Sequence, residues 1–152
     1  MGKKDETLLQ IAIAEYLAKN HPEVEFHNDY GTGARLKPYQ AKEQAEMNAH
    51  RKGWPDLFIA EPRNGYAGLF IELKRDGERL QKRNGDWASE HIAIQAERIK
   101  ELLKRGYYAR FTVGYNETIE TIEKYLNGEP CLLVVPDPNG WCSSTSAQRG
   151  DK

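Results

Sequence analysis

The chain has 152 residues, 30% charged and 39% hydrophobic, with a mean hydropathy of -0.78 and a formal net charge of -1. This is enough chain for one domain with a real core, and no apolar run approaches the roughly 18 residues that a membrane span needs. A near-neutral total gives no global attraction for nucleic acid, so any such binding must come from local charge asymmetry.

At the N-terminus, Met1 to Glu6 has lysines but no apolar stretch behind them, which reads against export. Residues 5–19 are predicted to form an amphipathic helix whose apolar face is Leu9, Ala12, Ile13 and Tyr16, with Leu8 and Leu17 at its margins. Glu6 lies on the side of Ile13 and admits two readings: a carboxylate favoured by the helix N-terminal dipole, or an acid aimed inward at a site. Asn20-His21-Pro22 ends the helix. The alternation over Val24–Asn28 reads as a short strand, and Gly31-Thr32-Gly33-Ala34 as a flexible loop without the Gly-Lys-Ser/Thr of a P-loop.

Between Arg35 and Lys52 the basic residues Arg35, Lys37, Lys42, Arg51 and Lys52 outnumber Glu43 and Glu46. Residues 39–51 are polar and helix-prone, so the segment reads as a mobile basic flap on the surface. A second basic cluster follows at Lys74, Arg75, Arg79, Lys82 and Arg83, while acids gather at the N-terminus and from Glu117 to Glu129. Solvated surface charge is the plain alternative for both clusters.

Asp56–Ala60 is apolar and β-prone, Pro62-Arg63-Asn64-Gly65 has turn chemistry, and Gly68–Lys74 returns as the second arm of a β-hairpin. Strand alternation puts Phe70, Glu72 and Lys74 on one face and Leu69, Ile71 and Leu73 on the other. Burying the Leu69 face leaves Glu72 and Lys74 side by side on the opposite one. Ser89 is the predicted N-cap of a helix over residues 90–105, closed by Gly106, with Ile92, Ala96, Ile99, Leu102 and Leu103 on its apolar face. Gln95 falls in that stripe at helical phase, which means either a buried partner or a position at the edge reaching solvent. Tyr107–Val113 is the next strand, Asn116 the predicted cap of a last helix over Glu117–Leu126, and Asn127-Gly128 its end. Cys131–Val135 reads as an edge strand or a partner-facing run, and the remainder to Lys152 as disordered. Cys131 and Cys142 lack a CxxC spacing, which argues against zinc or iron–sulfur sites and fits a reducing compartment. The order predicts one mixed α/β domain over residues 1–128 with a C-terminal extension over 129–152.

Asp56 on one arm of the hairpin and Glu72 on the other can approach the same ion. Mg²⁺ takes one or two carboxylates with waters and substrate phosphate, so no histidine is required. An ion there would polarise a scissile phosphodiester and activate its water. Lys74, on the face of Glu72, can hold that water or stabilise the charge growing on phosphorus. A surface Glu–Lys pair is the plain alternative, since Glu-x-Lys on a strand is common. The conjunction with Gly53-Trp54-Pro55-Asp56 and with Gln95 raises the catalytic reading.

Gly53-Trp54-Pro55-Asp56, Ile71-Glu72-Leu73-Lys74, Gln95 and Gly106-Tyr107 resemble the PD-(D/E)XK nuclease superfamily, and within it the VRR-NUC domain. Glu6 with Leu9-Gln10 is similar to that domain's acidic motif on the first helix, so the resemblance spans roughly Glu6 to Tyr125. It implies a restriction-endonuclease-like αβββαβ core with a small mixed sheet flanked by helices. It also implies a Mg²⁺- or Mn²⁺-dependent DNA endonuclease of the stand-alone bacterial or phage type, cytoplasmic and homodimeric, acting on branched DNA such as Holliday junctions. Carried over by residue, Asp56, Glu72, Lys74 and Gln95 are catalytic. Glu6, Asp56, Glu72 and the Leu73 carbonyl are metal ligands, and the basic residues Arg35, Lys37, Arg51, Lys52 and Arg75 are assigned to DNA from charge. A restriction-type or exonucleolytic enzyme on the same fold, and a catalytically silent DNA-binding module, are the alternatives; the absence of a four-cysteine cluster counts against the iron–sulfur exonuclease branch.

Overall fold

The computed structural model describes residues 2–29, 37–50 and 52–129, with side chains from Asp5 onward. The Gly31–Ala34 loop, Arg35, Arg51, the Cys131–Val135 run and the remainder of the extension lie outside the described residues. The elements run α1 (Gly2–Asn20), β1 (Phe26–Asn28), α2 (Pro38–Asn48), β2 (Leu57–Ile59), β3 (Leu69–Lys74), α3 (Glu90–Lys104), β4 (Tyr108–Val113) and α4 (Gly114–Leu126). This is the expected αβββαβ order, with α2 inserted between the first two strands and α4 appended. No helix among the described residues is long and apolar enough to cross a membrane.

The four strands form one mixed sheet in the order β1-β2-β3-β4. β1 and β2 pair antiparallel, as do β2 and β3 with Leu57 opposite Ile71, while β3 and β4 are parallel with Leu73 opposite Thr112. The hairpin turn forms where its residue types require: Asn64 and Gly65 take φ of 52° and 80°, and Arg63 and Tyr66 close the bridge around them.

β3 is the central strand, and every one of its residues is buried. Leu69, Ile71 and Leu73 pack with Leu57, Ile59, Ile13 and Leu17 of α1, and Ile122 and Tyr125 of α4. On the other face, Phe70 packs with Ile92, Ala96, Ile99 and Leu102 of α3 and with Phe111 of β4. Helices therefore cover both faces, as expected around parallel strands that are joined by a helical crossover. Glu72 and Lys74 do face away from the leucines as alternation requires, yet α3 buries them to 2% and 6% exposure. The surface-pair alternative is thereby excluded.

Other expectations shift. In α1 the buried positions are Gln10, Ile13 and Leu17, while Leu8 is 55% exposed. Leu17 is thus central rather than marginal, because the helix packs against both α4 and β3 and is rolled toward Gln10. The strand expected from Val24 begins only at Phe26. The segment read as a mobile flap contains the helix α2, with Pro38 in its first turn and the Gln40 side chain accepting from the Lys37 N–H at 3.0 Å. It has no buried residue, as its composition implied. α4 starts at Gly114 rather than after an Asn116 cap, because the chain turns directly out of β4 at a glycine with φ of 78°.

Candidate active site

Because β2 and β3 are antiparallel, the start of β2 lies beside the end of β3, and Asp56 arrives next to Leu73. Its Oδ2 accepts the Leu73 N–H at 2.9 Å, and its Oδ1 accepts from Gln10 Nε2 on α1 at 3.2 Å. The carboxylate is therefore held from a strand and from a helix at once. One step along β3, on the α3 side, Lys74 Nζ donates to Glu72 Oε1 at 3.1 Å and to Gln95 Oε1 at 2.7 Å. Gln95 Nε2 in turn donates to Glu72 Oε1, which closes a ring of three buried side chains. Gln95 thus has the buried partners that its helical phase left open. Beneath the ring, Lys74 Nζ lies 5.8 Å from the centroid of Phe111, a favourable cation–π approach.

Burial raises the Asp56 pKa to about 6, against the opposing Leu73 N–H bond, and the Glu6 charge adds to the rise. Burial also lifts the Glu72 carboxyl to about 9, with the neighbouring Asp56 next in effect and Lys74 opposing. Two carboxyls in one low-dielectric site repel each other when both are ionised. Apart from the Asp56 carboxyl beside it, Glu72 Oε2 has no hydrogen-bond partner among the described residues, and Asn28 Oδ1 has none. Two carboxyls that share a hydrogen bond in one desolvated site supply the hard oxygen ligands that a divalent cation takes, with water and phosphate completing its shell. No group of three or more histidine, cysteine, aspartate or glutamate side chains converges among the described residues. Glu6 accordingly acts on Asp56 as a nearby charge, while Gln10, one helical turn further on, makes the direct bond.

These shifts set a pH dependence. Both carboxyls have raised pKa values in the folded chain, so the native state holds more protons than the unfolded one, and metal-free stability falls as pH rises from the ordinary carboxylate range toward 9. A divalent cation needs both groups deprotonated, so its binding releases protons and strengthens with pH. Differential scanning fluorimetry with and without Mg²⁺ should show a melting-temperature gain that is small at pH 5 and grows toward pH 9. A gain that shrinks with rising pH would count against these carboxylates as cation ligands.

The segment leading into Asp56 is clamped to α3. Gly53 has φ of 78°, and a Cβ there would stand 3.0 Å from the Ile94 carbonyl oxygen, so only glycine allows this approach. Arg98 donates from Nε and Nη2 to the Lys52 carbonyl at 3.3 Å. Of the residues assigned to DNA, Lys37 and Lys52 are exposed, and Arg75, also exposed, follows Lys74 directly and pairs with Glu78 at 3.5 Å. Arg75 also lines a cleft with Asp5, Leu9, Asp76, Tyr115 and Asn116 at the N-terminal ends of α1 and α4. Arg35 and Arg51 lie outside the described residues.

Sequence reasoning missed the roles of Gln10 and Phe111. For Gln10 a signal was present in its i, i+4 spacing from Glu6. For Phe111 there was none, since only the β3–β4 pairing brings it under Lys74.

No family model matches the sequence, and no curated protein matches it. A solved structure described as a VRR_NUC domain protein shares the fold with a TM-score of 0.59 and 27% identity, over 82% of this chain and 90% of that one.

Proposed function

We propose that this chain, a VRR-NUC-type domain by its likeness to a solved one, is a Mg²⁺- or Mn²⁺-dependent DNA endonuclease, structure-selective for branched DNA such as Holliday junctions. The observation that carries the reading is the buried ring of Glu72, Lys74 and Gln95 set beside Asp56, with the two carboxyls close enough to share a hydrogen bond and raise each other's pKa. Desolvating two carboxyls against each other opposes folding, so an arrangement that keeps them together favours function over stability.

In this reading Asp56 and Glu72, with the Leu73 carbonyl and with Glu6 nearby, hold the cation. When bound, the cation supplies a Lewis acid for a phosphoryl oxygen and lowers the pKa of its water. The protein's own part is positional. Gln10 and the Leu73 N–H fix the rotamer of Asp56, and Gln95 fixes both Glu72 and Lys74. Two of the three N–H donors of Lys74 are bound to Glu72 and Gln95, so the third is free to orient the attacking water or to meet charge developing on the phosphate. Arg75, directly after Lys74, and Lys52, four residues before Asp56, are exposed and would meet the backbone phosphates.

A four-way junction needs two symmetric cuts, so a homodimer belongs to the same proposal. The test is cleavage of a labelled panel of linear, flapped and four-way DNA with Mg²⁺, together with the mass in solution by light scattering. Preferential paired nicking of the four-way substrate by a dimer is the expected result. Equal cleavage of linear duplex, or junction cleavage by a monomer, would remove the corresponding part of the proposal, and no cleavage of any substrate would remove the nuclease itself.

A further inference from the structure

Trp54 is 38% exposed although it sits two residues before Asp56 at the rim of the site. A large aromatic side chain left open beside a polar site is a candidate contact surface. Two neighbours direct it there. Its ring centroid lies 5.8 Å from that of Phe70, which precedes Glu72 by two residues on the same strand face. Phe70 in turn stacks on Phe58 at 4.4 Å, so the indole rests on a packed aromatic layer. The Arg98 guanidinium lies over one face of the Trp54 ring, 5.3 Å from its centroid, so a base would stack on the part that Arg98 and Phe70 leave exposed, and Arg98 follows Gln95 by three residues on α3. Each of these contacts is one structural step from a residue of the proposed site.

The indole is also held in place. Gly53 is pressed against Ile94, Pro55 is buried, and Arg98 bonds the Lys52 carbonyl. A side chain ordered in advance loses little further freedom when a ligand docks. A fixed π-face next to a guanidinium binds nucleobases of any sequence by stacking and cation–π attraction. Within a duplex each base already has both faces covered by its neighbours, so the stack accepts a base only where the DNA is open.

We propose that Trp54, braced by Arg98 and Phe70, is a base-stacking platform that takes one unpaired nucleobase beside the scissile phosphate and so directs cleavage to opened DNA. This rests on the nuclease reading and deepens it. It supplies a physical source for selecting flaps and opened branch points, distinct from any selectivity for a fully paired junction, that the carboxylate–lysine ring does not contain.

The test uses the wild-type chain, Trp54→Leu and Trp54→Phe. With Ca²⁺ in place of Mg²⁺, each is titrated into oligonucleotides carrying 2-aminopurine either in the unpaired arm of a flap or within a duplex. Stacking quenches the unpaired probe with wild type and Trp54→Phe and leaves it bright with Trp54→Leu; the duplex probe is unchanged throughout. In Mg²⁺, Trp54→Leu should raise KM for the flap roughly 10- to 100-fold, the range of one lost base–aromatic stack, with kcat much less affected and Trp54→Phe near wild type. Arg98→Gln, on a different element, weakens the same quench. Unchanged quenching and KM in both Trp54→Leu and Arg98→Gln would overturn the platform while wild-type cleavage keeps the nuclease reading. Quenching that depends on Trp54 in a protein that cleaves nothing would keep the platform and overturn that reading.

Discussion

Asp56→Asn and Lys74→Met should each lower Mg²⁺-dependent DNA cleavage by at least about a thousandfold while leaving the fold intact. For Asp56 the structural effect is small because asparagine keeps an oxygen for the Leu73 N–H, and Gln10 can turn its amide to meet the new donor. What is lost is the negative charge, and with it half of the carboxylate pair at the proposed cation site. For Lys74, methionine retains the length of the side chain and a favourable contact with Phe111, but it removes the donor shared by Glu72 and Gln95. Circular dichroism and thermal melting separate the chemistry from the fold. Near-wild-type cleavage by either well-folded variant would end the catalytic assignment of that residue.

Glu72→Gln should give the same split between stability and activity, with a pH dependence added. In the metal-free chain burial keeps the Glu72 carboxyl protonated up to about pH 9, so at neutral pH glutamine replaces a neutral acid of the same shape. The melting temperature at pH 7 without metal should therefore stay within about 3 °C of wild type. The sign then follows from linkage. The raised native pKa makes wild type lose stability as pH rises, whereas glutamine has no proton to lose, so the variant should overtake wild type on the alkaline side. Cleavage and the stabilisation by Mg²⁺ should both be lost, because glutamine cannot supply the second negative charge of the carboxylate pair. Melting curves across pH 6 to 9 with and without Mg²⁺ decide the matter. A variant that unfolds at neutral pH without metal would show that Glu72 is ionised there and paired with Lys74 for stability. A variant that still gains stability from Mg²⁺ would place the cation elsewhere.

Much of the site was legible in sequence because it is built from local periodicities. Period-two alternation put Glu72 and Lys74 on one face, and helical phase put Gln95 in the apolar stripe of α3; both are found. The hairpin was legible from Asn64-Gly65, whose backbone preference fixes the turn and with it the arrival of Asp56 beside Leu73. The misplacements have a shared cause. Leu8 and Leu17, both placed at the margin of the α1 face, parted as Leu17 became fully buried and Leu8 exposed, and the predicted Asn116 cap gave way to Gly114, because how far a helix rolls and where it leaves a strand depend on the neighbours it packs against. Alternation left undecided whether the Glu72–Lys74 face of β3 is open or covered, and α3 covers it, since nothing in a strand's own pattern states whether a helix will close over its polar side.

Residue order alone therefore specified the αβββαβ core order, the hairpin, the shared face of Glu72 and Lys74, the place of Gln95 in the α3 stripe, and the resemblance of these residues and Asp56 to a nuclease motif. These follow from preferences that act over a few residues. Tertiary structure decided that Glu72 and Lys74 are buried, that both raised carboxyls share one low-dielectric site, that Gln10 and Phe111 complete it, and that Trp54 is braced open at its rim by Arg98. Each of those depends on contacts between residues distant in the chain. Desolvation and mutual repulsion are properties of the assembled environment, and they arise only once α1, α3 and the sheet have closed around the end of β3.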